Sequence, residues 1–158
     1  MTTVRNAEPA DLKPLAHLWW SGWRDGHEGL LPEALTRLRT LESFQDRMAA
    51  ALPKVRTLGP AGAPLGFHLL KDDELYQFYL AAEARGTGVA AVLMADAEAR
   101  LRQAGVAVAW LACAIGNARA ARFYEKSGWT MTRIEIVPTE TSEGPFPLEV
   151  WRYEKRLV

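Results

Sequence analysis

The segment Arg85-Gly86-Thr87-Gly88-Val89-Ala90 constrains this chain more than any other, because it joins a strand-like run to a helical one through two glycines. Upstream, Glu74 to Ala82 reads as a strand that follows a Lys71-Asp72-Asp73 turn. Downstream, Val89 to Gln103 reads as a helix stopped by Gly105. Glycines at such a junction let the backbone turn tightly and leave its N–H groups uncovered. The helix that starts there adds unpaired donors and a partial positive charge at the same spot. Together they make an anion site suited to a phosphate or pyrophosphate, although the same pattern also serves as a plain tight turn. The third glycine of a dinucleotide fingerprint is missing, and no Gly-Lys-Ser/Thr follows, so two common phosphate motifs are excluded.

The rest of the chain supplies a frame for that junction. Val4 to Ala7 reads as a short strand. Leu12, Leu15, Ala16, Trp19 and Trp23 recur at helical spacing from Pro9 to Trp23, and Gly26 and Gly29 are expected to break that helix. Thr40 is a suitable N-cap for a second helix to Leu52, with Leu41, Phe44, Met48 and Leu52 on one face. Val55–Leu58 and Leu65–Leu70 read as strands joined by a Gly/Pro turn. Val106 to Ile115 is nearly all apolar, as expected of a strand buried on both faces. Asn117 to Lys126 reads as a helix ending at Gly128, and Trp129–Val137 and Leu148–Arg156 as strands around a polar loop. The order β-α-α-β-β-β-α-β-α-β-β predicts an α/β (α+β) domain, with residues 1–158 forming a single unit of ordinary domain length.

Charge removes one function class. Nineteen basic residues balance nineteen acidic ones, which leaves no electrostatic case for a nucleic-acid partner. Cys113 is the only cysteine, so no intrachain disulfide can form. The polar start and the lack of a long apolar run predict neither a signal peptide nor a membrane helix, and hence a cytoplasmic protein. No His/Cys/Asp/Glu grouping has metal-ligand spacing, so no metal is expected.

Four fragments give the junction its context. Arg85-x-x-Gly88-x-Ala90 resembles the Arg/Gln-x-x-Gly-x-Gly/Ala loop of the GCN5-related N-acetyltransferase (GNAT) superfamily. Phe78-x-Leu80-x-Ala82-x-x-Arg85 is similar to that family's Leu-x-Val-x-Pro-x-x-Arg lead-in. Leu111-x-Cys113-x-x-x-Asn117 resembles its Leu-x-Val-x-x-x-Asn strand end. Asn117-x-x-Ala120-x-x-Phe123-Tyr124-x-x-x-Gly128-Trp129 resembles its Asn-x-x-Ala-x-x-Phe-Tyr-x-x-x-Gly-Phe/Trp segment. They run from Glu74 to Trp129 in the family's order and spacing. Weaker likeness reaches Val4–Ala7 with Asp11 at one end and Leu148–Leu157 at the other. Ala82, Cys113 and Ala90 depart from the commonest family residues but keep small size or apolarity.

The resemblance implies the GNAT fold, with a central, mixed but mostly antiparallel sheet of about six or seven strands flanked by about four helices. It also implies an acetyl-CoA-dependent N-acetyltransferase that moves acetyl to a primary amine by direct attack in a ternary complex. The loop residues Arg85, Gly86, Thr87, Gly88, Val89 and Ala90 would hold the CoA pyrophosphate. The strand around Leu80 and Ala82 would splay at a bulge to pair with the pantetheine arm, and Asn117 would contact that arm or order the loop. Arg119 and Arg122 are candidates for the adenosine phosphates. Tyr124 would donate a proton to the leaving thiol, a task suited to a phenol with pKa ~10. Glu74 falls where histone-acetyltransferase members carry their catalytic glutamate, and burial there would raise its pKa. Water chains replace such a base in other members.

The acceptor side rests on a cluster near the end of the first helix. Trp19, Trp20 and Trp23 with His27 and Glu28 either form an aromatic acceptor pocket or pack a core. Trp23, His27 and Glu28 are the substrate-binding candidates, and His27 is a second candidate base. An alternative of another class is a non-catalytic acyl-CoA-binding sensor or interaction module on the same fold. A third, a phosphate-binding domain unrelated to CoA, would require the matches at Asn117 and Tyr124 to be coincidence. The acceptor would be a small-molecule or protein amine, and the chain a monomer or homodimer.

Overall fold

The computed structural model describes residues 2–158. Its elements are β1 (Val4–Asn6), α1 (Leu12–His27), α2 (Glu33–Leu38), α3 (Leu41–Ala51), β2 (Arg56–Leu58), β3 (Gly66–Lys71), β4 (Glu74–Leu80), α4 (Val89–Gln103), β5 (Val108–Ala114), α5 (Ala118–Lys126), β6 (Thr130–Thr139) and β7 (Phe146–Arg156). The strands form one sheet in the order β1-β2-β3-β4-β5-β7-β6. All neighbours are antiparallel except β4 and β5, so the expected mixed, mostly antiparallel sheet is present. No helix among the described residues is long and apolar enough to cross a membrane.

Two apolar layers hold the helices to the sheet. Leu15, Ala16, Trp19 and Trp23 of α1 pack with Phe44 and Met48 of α3 against Phe67 and Leu69 of β3. Trp19 meets Phe44 and Phe67 at ring-centroid distances of 5.3 and 5.5 Å, tilted rather than face to face, as aromatic quadrupoles favour. A second layer joins Met94, Ala97 and Leu101 of α4 and Ala121 of α5 to Ala109, Leu111 and Cys113 of β5. The expected cap of α3 is present, with the Thr40 hydroxyl accepting from Ser43 N–H at 3.1 Å. Asn117 caps α5 in the same way through Ala120 N–H at 3.3 Å.

The structure adds one short helix to the expected order, making five among the described residues, and corrects two further expectations. The unforeseen α2 has six residues and one buried side chain, Leu35, too little for a helical period to register. Next, α1 does not end at Gly26 but continues to His27. A Cβ on Gly22 would lie 2.7 Å from the Tyr79 ring of β4, and one on Gly26 would lie 3.0 Å from the Asn117 amide. Both glycines are therefore contact points rather than breaks, at a helix cost of about 1 kcal/mol each relative to Ala. Finally, β5 is not buried on both faces. Ala109, Leu111 and Cys113 face the core, while Trp110 and Ala112 are half-buried along a cavity lined by apolar and charged residues alike.

The expected splay is in the sheet. β4 pairs with β5 only at Glu74↔Trp110, after which the strands part. The β3–β4 register slips between Leu69 and Leu70, leaving Tyr76 as the extra residue of a bulge. Beyond it, Ala81 N–H bonds to Leu65 O at 2.8 Å. The two-residue alternation of an antiparallel ladder then turns the N–H groups of Phe78 and Leu80 away from β3, toward the open gap.

Candidate functional site

Two cavities meet along β4. One, of about 350 Å³, lies in the gap between β4 and β5 and extends to the start of α4. The other, of about 370 Å³, lies beneath α1 and the α2–α3 segment and reaches β6 and β7. His27, Tyr76, Gln77, Tyr79, Ala112 and Ala114 line both, so the two spaces communicate.

The first cavity gathers much of the sequence-predicted cofactor set. Leu80, Arg85, Gly86, Ala90, Asn117 and Arg119 line it, together with Tyr124. Gly86 and Gly88 have φ of 75° and 86°, the left-handed region that glycine enters without Cβ strain. Gly88 is the N-cap of α4, and no side chain caps that end, in contrast to α3 and α5. The first N–H groups of α4 are thus left for a ligand or water. Thr87 turns its hydroxyl back to the Ala84 carbonyl, and Arg85 reaches Asp25 of α1 at 3.0 Å. Val89 is buried core beneath the loop, Ala82 opens a 3-10 turn outside the cavity, and Arg122 is exposed away from it.

Tyr124 is half-buried, with its ring 5.6 Å from Phe123 and 6.0 Å from Tyr153. Its hydroxyl bonds to no other described residue. Burial, then the nearby Cys113 and Tyr79, push its pKa above the usual phenol value, so it holds its proton throughout the neutral range. Cys113 itself is pushed up to about 12 by burial and is a protonated thiol, in keeping with a packing role.

The second cavity carries the candidate bases. Glu74 lines it, and burial raises its carboxyl from 4.5 to about 7, offset in part by Lys71. His27 borders both cavities. Its Nδ1 lies 2.9 Å from the Trp23 carbonyl, which can only accept, so Nδ1 carries the proton and Nε2 keeps its lone pair. Burial, with the charge of Arg39 adding to it, lowers its pKa to about 4. Trp19 and Trp23 also line this cavity, whereas Trp20 turns outward beneath Arg24, whose guanidinium lies 4.8 Å from the ring. Glu28 is exposed and lines neither space.

Sequence reasoning missed Gln77, Tyr79 and Arg39. Tyr79 and Gln77 belong to a strand whose bulge no spacing announced. Arg39 follows Arg37 in Thr36-Arg37-Leu38-Arg39, a segment in which the sequence pattern shows no element and no site. Yet Arg39 is only 6% exposed and lines the second cavity.

Known proteins agree with this architecture. A GCN5-related N-acetyltransferase from Rhodopseudomonas palustris superposes with a TM-score of 0.74 at 17% identity, covering 99% of this chain and 96% of that one. The PaiA N-acetyltransferase of Thermoplasma acidophilum, solved in complex with coenzyme A, gives 0.67 at 16% identity, covering 99% of each chain. YncA of Salmonella typhimurium, a putative acetyltransferase solved with its cofactor acetyl-CoA, gives 0.64 at 17%, covering 100% of this chain and 95% of that one. At these identities the likeness carries the fold alone. No curated protein sequence matches the chain. The family model described as "Acetyltransferase (GNAT) family" matches residues 15–129, which span the α4 loop, Tyr124 and both cavities' principal walls. The chain therefore belongs to the acetyltransferase (GNAT) family.

Proposed function

We propose that the protein transfers acetyl from acetyl-CoA directly to a primary amine, with CoA in the β4–β5 cavity and the amine in the cavity beneath α1. The observation that carries this reading is the splay after Glu74↔Trp110, which joins the two cavities through the sheet. The residues present fit the cofactor. The uncapped start of α4, with Gly86 and Gly88, suits a pyrophosphate, and the free edge of β4 at Phe78 and Leu80 suits an amide-bearing arm. When bound, acetyl-CoA supplies an acyl group already activated as a thioester.

The chain's own groups handle protons. An amine with pKa ~10 arrives as ammonium, and Glu74, with a pKa of about 7, is divided between acid and base at neutral pH. Glu74 accepts the ammonium proton, directly or through water. Tyr124 holds a proton near Cys113 in the cavity where the CoA sulfur would leave, and delivers it there. N–H groups on the β4 edge orient the carbonyl and favour charge developing on its oxygen. A second base, His27, is favoured by its open Nε2 and its place on both cavities.

The reading is tested by thermal shift with CoA, acetyl-CoA and NAD, followed by thiol release over an amine panel. A ligand at a hundred times its dissociation constant adds about 2.7 kcal/mol to the folded state. CoA species should stabilise the protein and NAD should not. Tyr124→Phe should lower turnover by about 10²-fold while CoA still binds. No response to CoA would sink the proposal. Binding without turnover on any amine would leave a non-catalytic acyl-CoA module as the better account.

A further inference from the structure

We propose that the amine acceptor carries its own anionic group, a carboxylate in the simplest case, which Arg39 binds in the cavity beneath α1. This rests on the reading that this cavity receives the acceptor.

Arg39 is the exception among the buried charged groups, although the His68 Nδ1 and the Trp19 and Trp129 indole N–H groups also lack partners among the described residues. Among the described residues, Asp11, Thr57, His68 and Glu98 are as buried, and each has a partner. Asp11 meets Arg5 at 2.8 Å, Thr57 donates to the Gly66 carbonyl at 2.6 Å, His68 meets Asp96 at 2.7 Å, and Glu98 meets Lys155 at 2.9 Å. The Arg39 Nε–H is buried with no acceptor, and its guanidinium has no ion pair with a described residue. Burial, followed by repulsion from Arg47, lowers its pKa to about 10, so it is still a cation at neutral pH. An unpaired buried charge is costly, and in a fold that pairs its other buried charges it marks a place for a missing counter-ion. Packing alone does not account for it. The stem reaches Phe44, with the guanidinium carbon 6.0 Å from the ring, but that contact leaves the N–H groups without acceptors.

The surroundings specify an anion. Arg47 lines the same cavity, stacked 4.3 Å over Trp19 and tied to Glu140 at 3.1 Å. The Nε1–H of Trp19, another wall residue, is also buried without an acceptor. Trp23, Leu35 and Tyr79 exclude water and lower the local dielectric, which strengthens a charge pair. The same cavity also carries Asp72, Asp73 and Glu74, which suit an ammonium. Cationic and anionic residues on one wall set match an amino carboxylate, and the aromatic lining leaves room for an apolar body between its charges.

The test uses matched ligands that differ only in the anion. Phenylalanine and phenylalaninamide, and 4-aminobutyrate and 4-aminobutyramide, are titrated by tryptophan fluorescence into wild type, Arg39→Met, Arg39→Lys and Arg37→Met, each with and without CoA. Circular dichroism checks that every variant is folded. In wild type the carboxylate member of at least one pair should bind about tenfold tighter, the ratio that one charge-assisted bond supports. That preference should vanish in Arg39→Met, return in part in Arg39→Lys, and persist in Arg37→Met, which alters an exposed residue of the preceding helix. Equal affinities within every pair for wild type, or a preference that survives in Arg39→Met, overturns the assignment. Carboxylate preference without CoA binding would instead refute acetyl transfer and leave Arg39 as an anion site. CoA binding without preference would do the reverse.

Discussion

Asp11 and Arg39 are both buried charged side chains, yet the fold treats them oppositely. Asp11 lies at the start of α1, 0% exposed, and its carboxylate accepts four hydrogen bonds. Two come from Arg5 at 2.8 and 3.1 Å, one from Glu8 N–H at 2.8 Å and one from Gly62 N–H at 2.9 Å. These ties join β1, α1 and the β2–β3 turn at one point. Arg39, at the cavity beneath α1, has none. A charge that serves the scaffold is saturated by it, whereas a charge that awaits a ligand is left open. Glu74, His27 and Tyr124 follow the second pattern, each bordering a cavity with capacity to spare.

The largest effect should fall on the saturated site. Asp11→Ala leaves the Glu8 and Gly62 N–H groups without their acceptor and removes two of the Arg5 contacts. Arg5 keeps Glu8 and the Gly59 and Asn6 carbonyls, and the change should cost about 3 kcal/mol in urea unfolding at pH 7. The sign with pH follows from its depressed pKa of about 2, set chiefly by the Arg5 hydrogen bonds. Its contribution is present above the unfolded value near 4 and is lost as pH falls through about 2. The variant should lose that part of the acid sensitivity. A cost below about 1 kcal/mol would remove the contrast between the two regions.

The next effect is on chemistry and separates the two open bases. If Glu74 takes the proton, kcat/KM should rise with pH through an inflection near 7, the raised pKa of that carboxyl. Glu74→Gln should then remove the inflection and lower the plateau by about 10²-fold. If His27 takes it, the inflection should lie near 4 and disappear in His27→Gln instead. Burial of Glu74 also has a stability signature of opposite slope to Asp11. Its folded pKa is raised, so wild-type stability should fall as pH rises from 4.5 to about 7, and Glu74→Gln should not follow.

Much of this was legible in the sequence, and the reasons differ by residue. The Arg85–Ala90 loop and the α5 segment from Asn117 to Tyr124 were readable because a glycine conformation, a cap and a helix start are local properties. The mixed, mostly antiparallel sheet was foreshadowed by the family likeness. The continuation of α1 to His27 was not readable, because Gly26 looks like a break until Asn117 is known to press on it. The two-sided burial expected of β5 failed because Trp110 and Ala112, apolar like the core face, border a cavity instead. Arg39 was invisible for a stricter reason. Whether an arginine is solvated, paired or stranded depends on what other segments bring to it, and Trp19, Phe44, Tyr76 and Tyr79 arrive from α1, α3 and β4.

The smallest effect is the sharpest, because its sign opposes that of Asp11. Arg39→Met keeps an apolar stem against Phe44 and removes a cation that the fold leaves unpaired. The depressed pKa of about 10 means that folding disfavours the charged form at all lower pH, and that this penalty fades only as pH rises above about 10. Ligand-free Arg39→Met should therefore be more stable than wild type by about 1 kcal/mol in urea at pH 7. The gain should be constant from pH 6 to 9 and shrink above pH 10, provided unfolding stays reversible there. An amino carboxylate should narrow the difference by stabilising wild type alone, since only wild type holds its counter-charge. A loss of stability in Arg39→Met would make Arg39 a second structural charge like Asp11, and the open polar groups of the cavity would need another explanation.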